Sequence, residues 1–485
     1  MKKYFSFFFN IFFISLTFSQ SIEITDFMRL NPYSNFNNPA YFIPYKGYGA
    51  FPGIANINFA FYNSSIIYHN LFETKNGIPT VFTPNKFLNS LPKNNWLNTD
   101  LSIETLGFGF RVGNFFFSFN HKLRMESHLR YSIDMLGFLQ YGILKKDNYE
   151  NYIYTSSSPA MIEFEPNINF YQEFSTGFQM QVLERLYIGA RPKLLIGIFN
   201  LKTDKFNAKI YSSPDDYTIY GNYNVNMKLS SPFPLYKKDS NEKLIFQMPS
   251  DYSGIVKNFF SNNLGFAIDM GAVYRISQEI RVSASVVDLG FIKWKGTSLK
   301  MSMNTKDNMG FYEFYGITTT QIKNYIENGV SIGFDSIVNS NFSLNEMKSY
   351  YTILTSKIML DGYFDLTPCN RFILQFKGYI LGKYFLPQFS VAYNGTFFNL
   401  IDVVVSYSML KKSFANLGIG LGFRLGPIHL YTGTDNILAA ISILNVRKIS
   451  ATFGLLLDLP VKEKVKEPEL NYLLTKKKNR KEECD

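Results

Sequence analysis

Along Phe170–Val182 the side chains alternate in character. The even positions Phe170, Phe174, Phe178, Met180 and Val182 are apolar, with Gln172 and Thr176 between them. The odd positions Tyr171, Glu173, Ser175, Gly177, Gln179 and Gln181 are polar, small or tyrosine. After Leu183-Glu184-Arg185 the pattern resumes: Leu186, Ile188, Ala190, Leu194, Ile196 and Ile198 interleave with Tyr187, Gly189, Arg191, Lys193, Leu195 and Gly197. Successive side chains of a strand point to opposite faces, so the two runs predict a hairpin with one apolar face and one wet face. A common globular strand has about 5–6 residues, whereas a tilted strand crossing a bilayer needs roughly 9–11. These runs are long enough for the second.

The same alternation recurs along the chain. Leu106-Phe108-Phe110-Val112 turns at Gly113-Asn114 into Phe115-Phe117-Phe119, and Phe266–Tyr274 turns near Ser277-Gln278-Glu279 into Ile280–Val286. Ile358–Phe364 turns at Thr367-Pro368-Cys369-Asn370, Phe389–Tyr393 at Asn394-Gly395, and Leu417–Leu425 at Gly426-Pro427. Gly, Asn and Pro between apolar runs are hairpin signals. About fourteen long strands follow, beginning near 54, 101, 115, 170, 186, 265, 280, 351, 371, 387, 399, 417, 428 and 449. The links after 112, 182, 276, 364, 394 and 425 are short, and those after 62, 124, 199, 288 and 435 are long. Short turns at one end and long loops at the other are the plan of an outer-membrane barrel. The predicted fold is all-β: a transmembrane antiparallel up-and-down barrel occupying residues 51–460, with a few short helices in its loops. Thr83–Leu91, Tyr131–Tyr141 and Thr318–Glu327 read as those helices, and Phe206–Leu229 as a further hairpin. Residues 20–50, rich in Asn, Pro and Tyr without alternation, are a periplasmic lead or a lumen plug. Residues 461–485 are a charged periplasmic tail.

Residues 1–19 place this barrel. Lys2 and Lys3 precede an apolar run from Phe5 to Phe18, with Thr17 and Ser19 suited to a cut before Gln20, which reads as a secretory signal peptide. Beyond it, no run of 18 consecutive apolar residues offers a membrane helix. The hydrophobic fraction of 46% with a mean hydropathy of −0.07 fits alternating faces that cancel in any average. The 17% aromatic content suits interfacial girdles, and an A+T-rich genome would also raise it. The net charge of +11 is dispersed rather than gathered into a stripe, so nucleic acid is not an expected partner. Outer-membrane lipids with anionic headgroups are. The expected state is a monomer.

Gly265–Tyr274 together with Val282–Trp294 resemble a signature of an uncharacterised Bacteroidota outer-membrane family, itself similar to the long-chain fatty-acid transporter (FadL-like) barrels and to the PorV shuttle of type IX secretion. Leu186–Leu194, Gly426–Asn436, Arg29-Leu30-Asn31-Pro32 and Asn38-Pro39-Ala40 share the resemblance. It implies a fourteen-stranded barrel whose N-terminal segment plugs the lumen, with Asn31, Pro32, Asn38 and Pro39 as plug residues. The tail beyond Leu459 departs from barrels that end on their last strand.

Catalytic chemistry is not indicated. His69, His121, His128 and His429 are scattered, and neither a phosphate loop nor a CxxC is present; no cofactor or metal is expected. A triad assembled from strand ends is the one enzymatic arrangement that sequence order leaves open. Cys369 and Cys484 would lie on the same side, as two free thiols or as a bridge. Charge on the wet face is the remaining signal: Glu173, Arg191, Lys193, Asp269, Arg281, Lys377, Asp402 and Arg424 all hold that register. These residues either pair across a polar lumen, or, in the case of Arg191, Lys193 and Arg424, hold an anionic group. Two functions follow. One is passive passage of a small hydrophobic or amphipathic molecule through the plugged lumen. The other is a non-enzymatic scaffold or shuttle for secreted proteins, PorV-like.

Overall fold

The structure is a computed structural model that describes residues 24–29, 31–43, 45–64, 72–75, 78–82, 91–136, 159–212, 219–233, 235–247, 262–295, 297–304, 309–311, 342–382, 384–398, 400–410, 413–441 and 447–458. Fourteen antiparallel staves close into a barrel. They are β1 (Gly47–Ala50 and Ile57–Asn63), β2 (Asn94–Val112), β3 (Phe115–Ser132), β4 (Phe164–Leu183), β5 (Leu186–Ser212), β6 (Leu264–Arg275) and β7 (Ile280–Trp294). The second half comprises β8 (Tyr350–Ile353 and Ser356–Thr367), β9 (Asn370–Leu381), β10 (Tyr384–Phe397), β11 (Ile401–Leu410), β12 (Ser413–Leu425), β13 (Ile428–Thr434) and β14 (Lys448–Asp458). Closure runs through β1, where Ile57 faces Phe453 of β14 on one side and Ile103 of β2 on the other.

Alternation sorts the two faces. Phe110, Phe178, Leu194, Phe266, Phe291 and Phe389 point outward, between 43% and 53% exposed. Their inward neighbours Gln179, Lys193, Ala267, Ile292 and Ser390 are buried. A polar lumen inside an apolar exterior reverses the soluble pattern and matches a wall that faces lipid.

Two irregularities carry consequences for the lumen. On β7, Asp269 of β6 faces a bulge, since Ile268 pairs with Leu289 but Met270 with Val286. Asp288 there has φ +61°, a left-handed conformation that Asp tolerates better than most side chains. The extra residue flips the alternation, so Val287 and Asp288 are both buried. A second bulge at Thr105 of β2 brings Glu104 inward beside Gly107. Beyond the barrel, β5 runs on to Ser212 and pairs with Ile219–Ser231, which pairs with Thr297–Asn304 and, through it, Ser343–Glu346. This projecting sheet contains the hairpin expected over Phe206–Leu229 and packs its own apolar cluster of Leu229, Leu235, Phe246 and Met301.

Several expectations need correction. The strands are longer than the alternation marks, because pairing continues past the apolar belt. Asn394-Gly395 is not a turn: both residues are paired on either side, and the chain reverses after Phe397, where Phe398 takes φ +53°. Asn394 is held in the strand by its bond to the Asp402 carboxylate, 2.6 Å, so a buried tertiary contact overrides the local turn signal. Short and long links alternate only through β8. On the long-loop end, β9–β10 and β11–β12 are joined almost as tightly as the turns opposite. Residues 47–50 belong to β1 rather than to the lead. Tyr131 and Ser132 end β3, and one helical turn follows over 133–136; the rest of that helix, Thr318–Glu327, 83–90 of the helix expected over Thr83–Leu91, the signal segment and the tail lie outside the described residues. Cys369 is disulfide-bonded, which corrects the reading of two free thiols; Cys484 lies outside the described residues.

Candidate functional site

The lumen is occupied by the chain's own described residues between Ile24 and Lys46. Two short 3-10 turns, Ile24–Phe27 and Pro32–Phe36, shape this segment. Asn31 caps the second, its Oδ1 accepting from the Tyr33 amide at 3.0 Å, and Pro32 fills the first position, where a missing N–H costs nothing. Asn38 repeats the device, accepting from the Ala40 amide at 2.9 Å. The four Asn and Pro residues picked from sequence are thus the bends that fold a segment without a ladder of its own.

The wall is moulded to it. Gly189 of β5 faces Gly271 of β6. A Cβ at Gly189 would lie 2.2 Å from the Pro39 carbonyl, and one at Gly271 would lie 2.1 Å from Asn38 Oδ1. Across the barrel Gly420 of β12 faces Gly433 of β13. Cβ atoms there would lie 2.6 Å from the Met28 methyl and 2.8 Å from Ile24 Cγ2. Two pairs of glycines are therefore dents into which the segment drops. Tyr33 stacks on Phe36 at 4.8 Å and meets Tyr48 and Tyr431 edge-on, within an apolar cluster that includes Phe27, Ile43 and Val404. Burial raises the Tyr33 phenol well above its ordinary pKa, with Glu104 the next cause. Polar pins complete the seat: Asp26 pairs with Lys377 at 2.9 Å, the Ile24 amide donates to Asp435 at 2.9 Å, and Gln179 donates to the Ala40 carbonyl at 2.9 Å. Arg29 bonds the Pro368 carbonyl and Arg371 bonds the Tyr41 hydroxyl.

Above this seat the wall is tied to itself by charge. Arg124 of β3 reaches Glu173 of β4 at 2.7 Å, Asp288 of β7 at 2.8 Å and Glu126 at 2.8 Å. Lys193 of β5 reaches Asp288 at 2.6 Å, Asp269 of β6 at 2.8 Å and Glu173 at 3.5 Å. Lys357 of β8 stands 3.6 Å from Asp288, whose own amide donates to Asp269 at 2.8 Å. The network joins six staves, and its centre is the bulged Asp288. Still higher, Trp294, Tyr350, Tyr171 and Leu195 form an apolar cluster, with Trp294 lying across Gly197.

Of the eight charges picked from the alternation, four meet: Glu173, Arg191, Lys193 and Asp269. Arg191 joins both regions, donating to Asn35 Oδ1 at 2.9 Å and standing 3.5 Å from Asp269. The other four are dispersed. Arg281 pairs with Asp365, Lys377 with Asp26, and Asp402 accepts from Asn394 and Thr396. Arg424 lies over the Tyr45 ring and 3.5 Å from Asp458, away from Arg191 and Lys193, so the three do not form one anion clamp. Lys122, Arg124, Glu126, Asp288 and Lys357 were missed. Lys122, Arg124 and Glu126 extend the polar register of Ser118 and Asn120, a signal that was present. Asp288 follows the bulge, where alternation inverts.

Between the seated segment and the network lies a cavity of about 80 Å³. Tyr33, Phe36 and Asn37 line it from below, Lys122, Arg124 and Lys193 from the wall.

Among solved structures the chain is similar to the Pseudomonas putida toluene transporter TodX, with 9% identity over 89% of this chain and 95% of that one and a TM-score of 0.39. It is also similar to the CymD monoaromatic hydrocarbon channel, 7% identical over 91% and 98% with a TM-score of 0.34. A Pseudomonas aeruginosa FadL homologue is 9% identical over 91% and 99%, with a TM-score of 0.31. No curated protein matches the chain. The profile of DUF5723, described as a family of unknown function, matches residues 39–435, from the seated Pro39 to the anchoring Asp435, and the chain belongs to that family.

Proposed function

We propose that this protein is an outer-membrane channel for a small amphipathic molecule, closed at rest by its N-terminal segment and opened by a shift of that segment. The carrying observation is the seat itself: residues 24–46 are held in the lumen by dents, ring contacts and single polar pins against staves on opposite sides of the barrel, among them β5 and β12. A stopper of this kind is displaceable without breaking the wall. The layered lumen supports an amphipathic passenger over a purely apolar one, because an apolar floor and an apolar upper cluster enclose a charged middle. Passage needs no turnover; a molecule that binds better when the segment is displaced shifts the population toward the open form. In this reading the short turns and both chain termini face the periplasm, and the long loops and projecting sheet face outward. A secretion-linked scaffold would draw on the projecting sheet alone, and the lumenal geometry sets the channel reading above it.

Planar-bilayer recording tests the reading. The native protein should conduct in rare, brief openings. Gly189→Val, whose side chain meets the Pro39 backbone, should raise the open fraction severalfold while the barrel stays folded. Equal conductance in the two, or absence of the protein from the outer-membrane fraction, would overturn it.

A further inference from the structure

Lys122 occupies an unusual position on the lumenal face of β3. Glu104 of β2 and Glu173 of β4 flank it in register, where cross-strand pairing would be expected. Neither carboxylate takes its ammonium. Glu104 accepts from Asn120 at 2.6 Å, and Glu173 is engaged by Arg124 at 2.7 Å and Lys193 at 3.5 Å. The Lys122 ammonium stands instead 3.0 Å above the Phe36 ring of the seated segment. The residue is only 9% exposed, and among the described residues it has no ion pair or hydrogen bond. A ring face compensates a buried ammonium only in part, against a larger desolvation cost.

The lining of the cavity beside it carries more cations than carboxylates. Five cations line it (Lys122, Arg124, Arg191, Lys193 and Lys357) against three carboxylates, Asp100, Glu173 and Asp288. Arg124, Arg191, Lys193 and Lys357 each already stand near a carboxylate. A cavity of about 80 Å³ holds a few waters, at roughly 10–15 Å³ for each, or one compact anion; it cannot take an acyl chain.

We infer that this cavity is a binding site for a small oxyanion, an inorganic phosphate or a short carboxylate, with Lys122 as the group that takes it. The ammonium cannot keep its full contact with Phe36 while turned to an oxygen ligand, so an occupied site loosens the segment from the wall. The anion is thus a modulator of the seat rather than the passenger, and the site goes beyond the channel reading.

Calorimetric titration of the full chain in uncharged micelles tests this, with sodium phosphate and sodium acetate as probes and sodium chloride at matched ionic strength as control. Binding of phosphate or acetate, weakened about tenfold or more in Lys122→Gln and kept within a few-fold in Lys122→Arg, is the expected result. Which probe binds tighter decides between the two sources. No binding of either, equal heats from chloride, or unchanged affinity in Lys122→Gln would overturn the site. If Lys122→Gln does not fold, proteolysis of native residues 24–46 with and without the bound anion replaces it: faster cleavage supports the site and an unchanged rate counts against it. Binding without conduction would sink the channel and keep the site, and conduction without binding would do the reverse.

Discussion

The lower and middle lumen solve different problems with different chemistry. Below, residues 24–46 are fitted by shape: glycine dents, stacked rings, and polar pins that each involve one wall residue. In the middle, Arg124, Lys193, Asp288 and their partners connect staves β3 to β8 to one another, and among the described residues the seated segment enters that network through Arg191. Wall integrity and the seating of residues 24–46 are therefore separable. A barrel whose stiffness came from its stopper would collapse when opened; this one carries its bracing in the wall.

The strongest way to break the comparison is Asp288→Ala. It strips the shared anion from Arg124, Lys193 and Lys357, and losing one partner of a buried charge group costs about 3–5 kcal/mol. Thermal unfolding in micelles should fall accordingly, with Asp288→Asn, which keeps the left-handed backbone, intermediate. A change below about 1 kcal/mol would mean that the network does not brace the wall. Arg191→Gln comes next, removing charged bonds worth roughly 1.5–3 kcal/mol. Because Arg191 belongs to both regions, its loss should accelerate proteolysis of residues 24–46 more than it lowers the melting temperature; the opposite order would merge the two regions. The smallest effect belongs to Gly271→Ala. Its new methyl meets the Asn38 side chain rather than backbone, so Asn38 Oδ1 must leave the Ala40 amide, and the cost should be about 1 kcal/mol, showing as mildly faster cleavage near Asn38.

The barrel was legible because lipid and lumen impose a period of two on every stave, so Phe170–Ile198 alone displayed both faces. The turn at Gly113-Asn114 was legible for a local reason: Gly113 takes φ +56°. The turn at Asn394-Gly395 was misread because the Asn394–Asp402 bond is not local in the pattern. The site was half legible. Glu173, Arg191, Lys193 and Asp269 follow the alternation, whereas Asp288 sits where a bulge inverts it. No periodic rule could place Lys122 on Phe36, since that contact depends on how an aperiodic segment folds inside the wall.

The seat also bears on how the molecule is assembled. The Ile24 amide meets Asp435, 411 positions away, and Ile24 rests in a dent made by Gly420 and Gly433. Residues 24–46, made before any stave, thus lack their resting place until β12 and β13 stand side by side. Contacts of such separation form late, because the intervening chain must be ordered first. Residues 24–46 therefore dock late, and their docking marks a barrel that has finished closing.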